Sequence, residues 1–186
     1  MMSFEFAKYQ ALGNDYLVID PNKTKINLTV EQIKLICDRH FGIGSDGILY
    51  GPIIENSQMT VKIFNPDGSE AEKSGNGLRI FARYLYEEKY INHKNFSVNT
   101  LGGVVGVEIL DETADFIKID MGTASFNSLD IPVCGAIREV INEDLVIDNK
   151  SFKISCVSIG NPHCVVFCDE VSKQIAIQYG EKIEQH

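Results

Sequence analysis

The middle of the chain carries an apolar stripe with the periodicity of a helix, and this stripe constrains the fold more than any other feature. Its members recur at helical spacing and are Leu78, Phe81, Ala82, Leu85 and Tyr86. A stripe of this width is typical of a helix that is buried over most of its surface. The helix opens at Gly75–Gly77, and we expect the neighbouring strands to pack around it.

Short strands separated by turns make up most of the remaining sequence. The first two, Phe4–Gln10 and Tyr16–Asp20, flank the turn Gly13-Asn14-Asp15. A helix is predicted from Thr29, with Gln32 completing a capping box, and Gly42 is expected to end it. Further strands are predicted near Ile48–Tyr50, Thr60–Phe64, Phe96–Thr100, Val104–Leu110, Phe116–Met121, Phe152–Ser158 and Cys164–Phe167.

The order of these elements indicates an α+β fold. About ten strands and two or three helices are predicted, without βαβ alternation, and the tail after Val171 carries one short helix. A polar, turn-prone run at Asp111–Asp115 separates two sets of strands. We therefore predict two domains, residues 1–115 and residues 116–186.

Charge and composition exclude several classes of partner. The chain has 186 residues, a formal net charge of −9 and a pI of about 4.9, which argues against binding to nucleic acid or to an anionic membrane. No apolar run is long enough to span a bilayer, and Met1–Lys8 lacks the apolar segment of a secretory signal. We therefore expect a cytoplasmic protein whose five cysteines are reduced thiols.

The start of the buried helix has the chemistry of an anion site. Backbone N–H groups in the first turn of a helix have no intrahelical partner and lie at the positive end of the helix dipole. At Ser74-Gly75-Asn76-Gly77 these groups are flanked by a hydroxyl and an amide. The preceding turn, Asn65–Glu70, adds a second amide and a carboxylate. Together these residues indicate a site for the carboxylate of an amino acid.

The glycine-rich run Gly42–Gly47 resembles a cofactor-binding motif, but a structural role explains it better. The run Gly42–Gly47 matches the dinucleotide-binding fingerprint, but a helix precedes it and a strand follows it, which reverses the required order. We interpret it as a helix-to-strand turn that borders a site.

A candidate metal cluster comprises Cys156, His163, Cys164 and Cys168. Their spacing fits no zinc pattern, so we interpret these cysteines as buried structural thiols and expect no metal.

Four turns place an asparagine beside glycine or proline. They are Gly13-Asn14-Asp15, Asn65-Pro66-Asp67-Gly68, Gly75-Asn76-Gly77 and Gly160-Asn161-Pro162-His163. Turn chemistry alone accounts for any one of them. Four such turns at the ends of strands or helices could equally supply fixed donors and acceptors for a small zwitterion, and the pattern alone leaves both interpretations open.

These motifs together resemble those of the diaminopimelate epimerase family. The matching stretches occur in the family's order along nearly the whole chain and are Leu12–Tyr16, Asp38–Gly47, Asn65–Glu70, Gly75–Arg79 and Ser158–His163. The resemblance implies two similar domains, each with strands wrapped around a central helix, and an active site in the cleft between them. It also implies epimerisation of LL- to meso-diaminopimelate in lysine biosynthesis. The implied chemistry uses neither metal nor pyridoxal phosphate: one thiolate removes the α-proton and a second thiol protonates the opposite face.

The resemblance also implies roles for individual residues. The implied substrate-binding residues are Asn14, Asn65, Gly75, Asn76 and Asn161. Gly75 and Asn76 would hold the α-carboxylate at the helix start, and His163 matches a histidine expected near the catalytic pair. No cofactor is expected, the partner is a small amino-acid substrate, and a homodimer is an assembly to be tested.

The chain departs from the family pattern in two places. Ser74 stands where the first catalytic cysteine is expected, and the sequence ends at His186 before the segment expected to bring the second, so we expect an incomplete second domain. A serine hydroxyl ionises far above a thiol's pKa of about 8.5 and needs an adjacent base, for which the nearby sequence offers only Glu72 and Lys73. With Ser74 and His163 as the candidate catalytic residues, the sequence predicts an impaired epimerase. The alternative is a non-catalytic amino-acid-binding remnant of the family.

Overall fold

The chain divides into two compact units, Met1–Met121 and Gly122–His186, and the computed structural model describes residues 4–186. The prediction that no secretory signal is present rests partly on residues 1–3, which lie outside the described range. The division into domains at residues 115 and 116 stays a prediction. By its contacts, the first unit extends further, because the strand Ile117–Asp120 pairs within it.

In its described part, the first unit contains eight strands and two helices. They are β1 Ala7–Ala11, β2 Asn14–Ile19, α1 Val30–Cys37, β3 Gly47–Glu55, β4 Gln58–Phe64, β5 Glu70–Ala71, α2 Gly75–Glu87, β6 Asn95–Thr100, β7 Gly103–Ile109 and β8 Ile117–Asp120. The strands form one sheet in the order β1-β2-β3-β4-β6-β7-β8, with β5 paired to β4.

This sheet curls around α2. The helix packs against β1 and β2 at one end of the sheet and against β8 at the other. Its apolar stripe is buried as the sequence predicts, with Leu78, Phe81 and Leu85 almost completely withdrawn from solvent. A helix that is apolar over most of its surface needs cover on several sides, and a curled sheet supplies that cover. The predicted central helix and the α+β class are therefore confirmed in this unit.

β2 is buried on both faces because a helix packs on each side of it. Tyr16 and Val18 belong to the core around α2, whereas Leu17 and Ile19 belong to a second core beneath α1. Successive side chains of a strand point to opposite faces, so a run of four buried residues requires two apolar environments. β2 thus contributes side chains to both cores of the first unit, as β3 does through Leu49 and Ile48.

The helix α1 begins as predicted but ends earlier. Both halves of the capping box form between Thr29 and Gln32. The helix ends at Cys37 rather than near Gly42. Asp38 ends the helix. Its carboxylate accepts hydrogen bonds from the N–H groups of His40 and Phe41, at 2.7 Å each, and these bonds stabilise a turn instead of a further helical turn.

One sequence prediction about the strands, the absence of strand–helix–strand alternation, is wrong, and one predicted strand is longer than expected. β2 and β3 are parallel neighbours on either side of α1, and β4 and β6 pair in parallel on either side of α2, so strand–helix–strand units do occur. The predicted strand near Ile48–Tyr50 is present as β3, which continues past Pro52 to Glu55. Its pairing with β4 shifts register between Tyr50 and Ile53, and such an irregularity lets a strand accommodate a proline.

The second unit contains a three-stranded antiparallel sheet and one helix in its described residues. They are β9 Glu143–Ile147, β10 Lys150–Ser158, β11 Pro162–Phe167 and α3 Lys173–Glu184, with strand order β11-β10-β9. Tyr179 of α3 packs edge-on against Phe152, with ring centroids 5.0 Å apart. The sequence predicted β10, β11 and the tail helix but missed β9, whose first residues are acidic. None of the described helices has the length and apolar composition needed to cross a membrane.

Replacing Phe81 by alanine tests the central role of α2. Phe81 is fully buried, whereas Phe41 is 87% exposed and provides the same chemical change at the surface. We expect Phe81→Ala to lower the free energy of unfolding by about 4 kcal/mol and Phe41→Ala by less than about 0.5 kcal/mol. Urea denaturation of the three proteins measures both values. Equal losses for the two variants would contradict a core organised around α2.

Candidate functional site

Ser74 is the N-cap of α2 and satisfies two of the first N–H groups of the helix. The N–H of Gly77 donates to Ser74 Oγ at 3.1 Å, and the N–H of Leu78 donates to the Ser74 carbonyl oxygen at 2.8 Å. The N–H groups of Gly75 and Asn76 have no acceptor among the described residues. Because they lie at the positive end of the helix dipole, they are placed to receive an anion.

The hydroxyl of Tyr16 reaches the same serine from β2, with its oxygen 3.2 Å from Ser74 Oγ. Burial is the main cause that raises the pKa of the Tyr16 phenol, which therefore keeps its proton at neutral pH. A phenol is a stronger acid than an aliphatic alcohol, so we assign Tyr16 as the donor. Ser74 Oγ then accepts from both Tyr16 and Gly77, and its own proton is what it can offer a ligand.

The two charged neighbours of Ser74 in the sequence do not help it act as a base. Neither Glu72 nor Lys73 forms a hydrogen bond to Ser74 Oγ in the described structure. The group that does approach the hydroxyl is the protonated phenol of Tyr16, which cannot accept a proton. In this arrangement Ser74 is a hydrogen-bond donor and lacks the adjacent base that a serine needs in order to take a proton.

Arg79 adds a positive charge to the start of α2. One guanidinium nitrogen donates to the amide oxygen of Asn76, and the other lies 3.9 Å from the position that a Cβ on Gly75 would take. Because the Asn76 oxygen is engaged, its NH₂ group remains available to donate. The sequence assigned no role to Arg79, although its helical spacing of three and four residues from Asn76 and Gly75 could have placed it there. Donors and a guanidinium together suit a carboxylate.

Asn14 offers a hydrogen-bond acceptor, whereas the start of α2 offers donors. Its Nδ2 donates to a carboxylate oxygen of Asp46 at 2.9 Å, which leaves the amide oxygen free to accept. An amide oxygen is suited to an ammonium group. Asn14 and Tyr16 are two residues apart on β2 and so share a face of the strand, about 7 Å apart. Through Tyr16, the structure brings Asn14 into the same region as Ser74.

A network of four charged side chains fixes Asp46, which holds the Asn14 amide. One nitrogen of Arg39 donates to Asp15 at 2.6 Å and to Asp46 at 2.7 Å. Lys8 lies 3.2 Å from the other oxygen of Asp15. The hydrogen bond from Arg39, supported by Lys8, holds the pKa of the Asp15 carboxyl well below its usual range. Asp15 therefore stays ionised at neutral pH, and the network keeps the amide of Asn14 in one orientation through Asp46.

The glycine-rich run Gly42–Gly47 is a joint between α1 and β3, as predicted. Two of its backbone N–H groups donate to the carbonyl oxygen of Ile36 at 3.0 Å, so they are not available to a phosphate. A Cβ on Gly42 would lie 1.8 Å from the carbonyl oxygen of Leu35, which only glycine avoids. The turn borders the candidate site through Asp46, the partner of Asn14.

Asn65 opens a self-contained turn after β4. Its Nδ2 donates to Ser69 Oγ at 3.0 Å, and Asp67 in turn accepts both the N–H and the hydroxyl of Ser69. Gly68 takes a positive φ of 87° within the turn. No hydrogen bond in the described part of the chain joins Asn65 to the start of α2. Its place in a substrate site stays a prediction.

The second unit carries Asn161 and His163 at the turn between β10 and β11. His163 Nε2 lies 3.1 Å from Asn161 Oδ1, and Gly160 permits the turn with a φ of +99°. An amide oxygen only accepts, so the imidazole donates through Nε2 and its Nδ1 remains open. These two predicted site residues therefore form a pair within their own unit.

The cysteine-containing segment shows no metal site. Within residues 4–186, no three His, Cys, Asp or Glu side chains are grouped closely enough to hold a metal ion, and the five cysteines are free thiols. The interpretation as buried thiols holds for Cys156 but is wrong for Cys164, which is exposed. The reason is that β11 is an edge strand, while α3 packs mainly against β9. Cys168 is half-buried beside Val166 and the core of this unit.

Comparison with known proteins identifies relatives over the whole chain. The sequence profile of the family "Diaminopimelate epimerase" matches residues 6–127. "Diaminopimelate epimerase 2" of Nostoc sp. PCC 7120 is 51% identical over 181 residues, which are 97% of this chain and 63% of that protein. The diaminopimelate epimerase of Nostoc punctiforme is 39% identical over 191 residues, 100% of this chain and 68% of that protein. The chain thus spans about two thirds of the length of these curated relatives.

A solved structure shares the fold at much lower identity. A hydroxyproline epimerase from Agrobacterium vitis, with bound trans-4-OH-L-proline, aligns with a TM-score of 0.67 and 12% identity. The alignment covers 97% of this chain and 60% of that protein. At this identity the likeness supports the fold alone.

Replacing Asp15 by asparagine tests the charged network. The folded pKa of Asp15 is depressed, so its stabilising contribution is complete above the unfolded value of about 3.9 and is lost as the pH falls toward the folded value. We expect Asp15→Asn to lower the free energy of unfolding at pH 7 by about 1.5 kcal/mol, and this difference to shrink as the pH falls below about 4. Urea denaturation at several pH values measures it.

Asp144→Asn is the matched control, because Asp144 pairs with Lys153 at the surface with 60% of its side chain exposed. That variant should change the stability little at any pH. A loss for Asp15→Asn that is independent of pH would contradict the assignment of its carboxylate to an ionised network.

Proposed function

Because this chain belongs to the diaminopimelate epimerase family, we propose that it binds a diamino acid and serves the family's cofactor-independent epimerisation of LL- to meso-diaminopimelate in lysine biosynthesis. The observation that carries the proposal is the set of donors at the start of α2. It consists of the open N–H groups of Gly75 and Asn76, the Asn76 amide and the Arg79 guanidinium. Such a set favours a carboxylate over a neutral or cationic ligand.

The polarity of the first unit fits a zwitterion. In the proposal the α-carboxylate lies at the start of α2, and the α-ammonium lies near the free amide oxygen of Asn14. A hydrogen bond to a charged group contributes about 1.5–3 kcal/mol, and the helix dipole adds about 0.3–1 kcal/mol. Three such contacts at the upper value, with the dipole, sum to about 10 kcal/mol, and the cost of association removes about 4 kcal/mol or more. We therefore expect a dissociation constant in the range from tens of micromolar to millimolar.

The remaining predicted residues enter the proposal through the family resemblance. Asn65 and Asn161 are proposed to contact the rest of the substrate, and His163 to lie near the proton-transfer step. In the proposal no cofactor takes part, because the family chemistry that the resemblance implies moves the α-proton with two thiols. A cytoplasmic location and a homodimer belong to the same proposal.

Ser74 limits the chemistry that this chain can perform. Its oxygen accepts hydrogen bonds from Gly77 and Tyr16, so the hydroxyl donates and does not take a proton. Proton abstraction at this position needs a group that ionises near neutral pH, as a thiol at a helix N-terminus can. We therefore propose that epimerisation is weak in this chain while carboxylate binding is retained.

The hydrogen bonding of Ser74 also supports a second candidate function. A site that supplies donors but no base would bind a diamino acid without epimerising it, as a non-catalytic binding member of the family would. The two candidates differ in whether the α-hydrogen of a bound amino acid ever exchanges with solvent. That difference can be measured.

Ser74→Cys tests whether the serine hydroxyl is what limits removal of the α-proton. We expect the 186-residue chain to bind meso- and LL-diaminopimelate by calorimetry and to incorporate little deuterium at the α-carbon in heavy water, as followed by proton NMR. Ser74→Cys should raise that incorporation at least about tenfold, because a thiolate becomes available near neutral pH. The readout is α-hydrogen exchange rather than epimerisation, because epimerisation also needs a second acid on the opposite face of the α-carbon.

Ser172→Cys is the matched control, because Ser172 is the N-cap of α3 and accepts a hydrogen bond from the N–H of Ile175 in the same way. It should leave exchange at the wild-type level. The absence of diaminopimelate binding would contradict the proposed function. If the α-hydrogen exchanged as fast in the wild type as in Ser74→Cys, Ser74 would not limit proton abstraction. If no exchange occurred in either protein, the result would favour the non-catalytic binding function.

Tyr16→Phe tests whether the tyrosine orients Ser74 toward the carboxylate. We expect the variant to weaken diaminopimelate binding about threefold to tenfold, the range for one hydrogen bond. In a Ser74→Ala background the same change should have no further effect, since Tyr16 acts through Ser74. Tyr50→Phe is the control. Tyr50 donates a hydrogen bond to the carbonyl oxygen of Ile26, so this substitution removes a comparable bond elsewhere. Equal effects of Tyr16→Phe in both backgrounds would contradict the assigned role.

A further inference from the structure

The hairpin of β10 and β11 places two cysteines directly opposite each other. Cys156 is the register partner of Cys164. The N–H of Cys156 donates to the carbonyl oxygen of Val140, at 2.9 Å, and not to β11. The facing pair is therefore of the non-hydrogen-bonded type, in which the two Cα atoms approach to about 4.5 Å. That separation lies within the range of about 4.4–6.8 Å that a disulfide spans.

The two cysteines face each other across the paired strands but differ in access to solvent. Cys156 is 5% exposed and belongs to the core of the second unit, whereas Cys164 is exposed. Burial, with the Cys164 thiol beside it, raises the pKa of Cys156 to about 11. Oxidants reach an exposed thiol first. Cys164 is thus placed to react with an oxidant and Cys156 to resolve the product.

The other cysteines of the chain have no such partner. Cys37 lies on α1, Cys134 lies in a loop, and Cys168 follows the end of β11. None of these three occupies a position that faces another cysteine across paired strands. Among the described residues, Cys156 and Cys164 are therefore the cysteine pair that the strand register places face to face.

We propose that Cys156 and Cys164 form a reversible oxidation site that responds to hydroperoxides. The Cys164 thiol gives up its proton and its sulfur attacks a peroxide oxygen of hydrogen peroxide. The O–O bond breaks, the departing hydroxide takes up that proton and leaves as water, and a sulfenic acid forms. The Cys156 sulfur then attacks the sulfenic sulfur, the S–S bond forms, the S–O bond breaks and a second water leaves. The two cysteines lose two electrons and two protons in total, and the peroxide is reduced to two waters. A dithiol reductant reverses the change by exchange.

The disulfide would close the hairpin at the base of its turn. That turn carries Asn161, whose amide oxygen accepts a hydrogen bond from His163 at the start of β11. Closing the short ring from Cys156 to Cys164 removes conformational freedom from the unfolded hairpin and restrains the turn in the folded state. Oxidation would therefore set the mobility of the two predicted site residues of this unit.

The direct test is to map the thiols before and after mild treatment with hydrogen peroxide. We expect the number of thiols that react with Ellman's reagent in denaturant to fall by two of the five, and dithiothreitol to restore them. Mass spectrometry without reduction should then show one linked peptide that joins Cys156 to Cys164. A different linked pair, or over-oxidation of Cys164 without a disulfide, would overturn the proposal.

Two variants sharpen the result. Cys164→Ser removes an exposed thiol and should fold normally, and it should lose no pair of thiols on treatment. Cys134→Ser removes another exposed thiol and should behave as the wild type does. A loss of two thiols that persists in Cys164→Ser would exclude this pair. Urea denaturation gives an independent readout, since the oxidised wild type should unfold at higher urea than the reduced one and the treated Cys164→Ser should show no such shift.

Discussion

α2 can bury its apolar surface only if the sheet curls around it, and that requirement positions nearly everything else in the first unit. The curl brings β1, β2 and β8 to the same helix. β2 passes close to the start of α2, where the Tyr16 hydroxyl reaches Ser74. The parallel crossover through α1 places the end of the glycine-rich turn beside the start of β2, where Asp46 holds the amide of Asn14. The polar groups of the site are thus consequences of how the core is covered.

Local chemistry was predictable from the sequence where one segment contains the whole interaction. The capping box of Thr29 and Gln32 and the buried stripe of α2 are of this kind. The bond between Tyr16 and Ser74 joins residues 58 positions apart, and no pattern within either segment announces it. The same holds for the orientation of the Asn14 amide, which depends on Asp46, 32 residues away. The sequence therefore suggested candidate residues, but it did not show whether each side chain offers a hydrogen-bond donor or an acceptor.

The serine at the N-cap illustrates how helix stability and chemistry can oppose each other. Serine is among the best N-cap residues because its short side chain accepts a first-turn N–H, as Ser74 does from Gly77. The same bond, with the one from Tyr16, removes the lone pairs that a base would need. A residue that secures the helix start in this way supports ligand binding and reduces reactivity. Stability gained at a site often reduces activity in this manner.

The opposed polarity of Asn14 and Asn76 has a stereochemical consequence. A ligand whose ammonium faces the oxygen of Asn14 and whose carboxylate faces the donors at Asn76 has two substituents of its α-carbon already committed in space. The hydrogen and the side chain must share the two directions that remain. Exchanging them converts one enantiomer into the other, so handedness decides which of the two points toward the Ser74 hydroxyl. Two amides held in fixed orientations can in this way let the site distinguish the two configurations of an α-carbon.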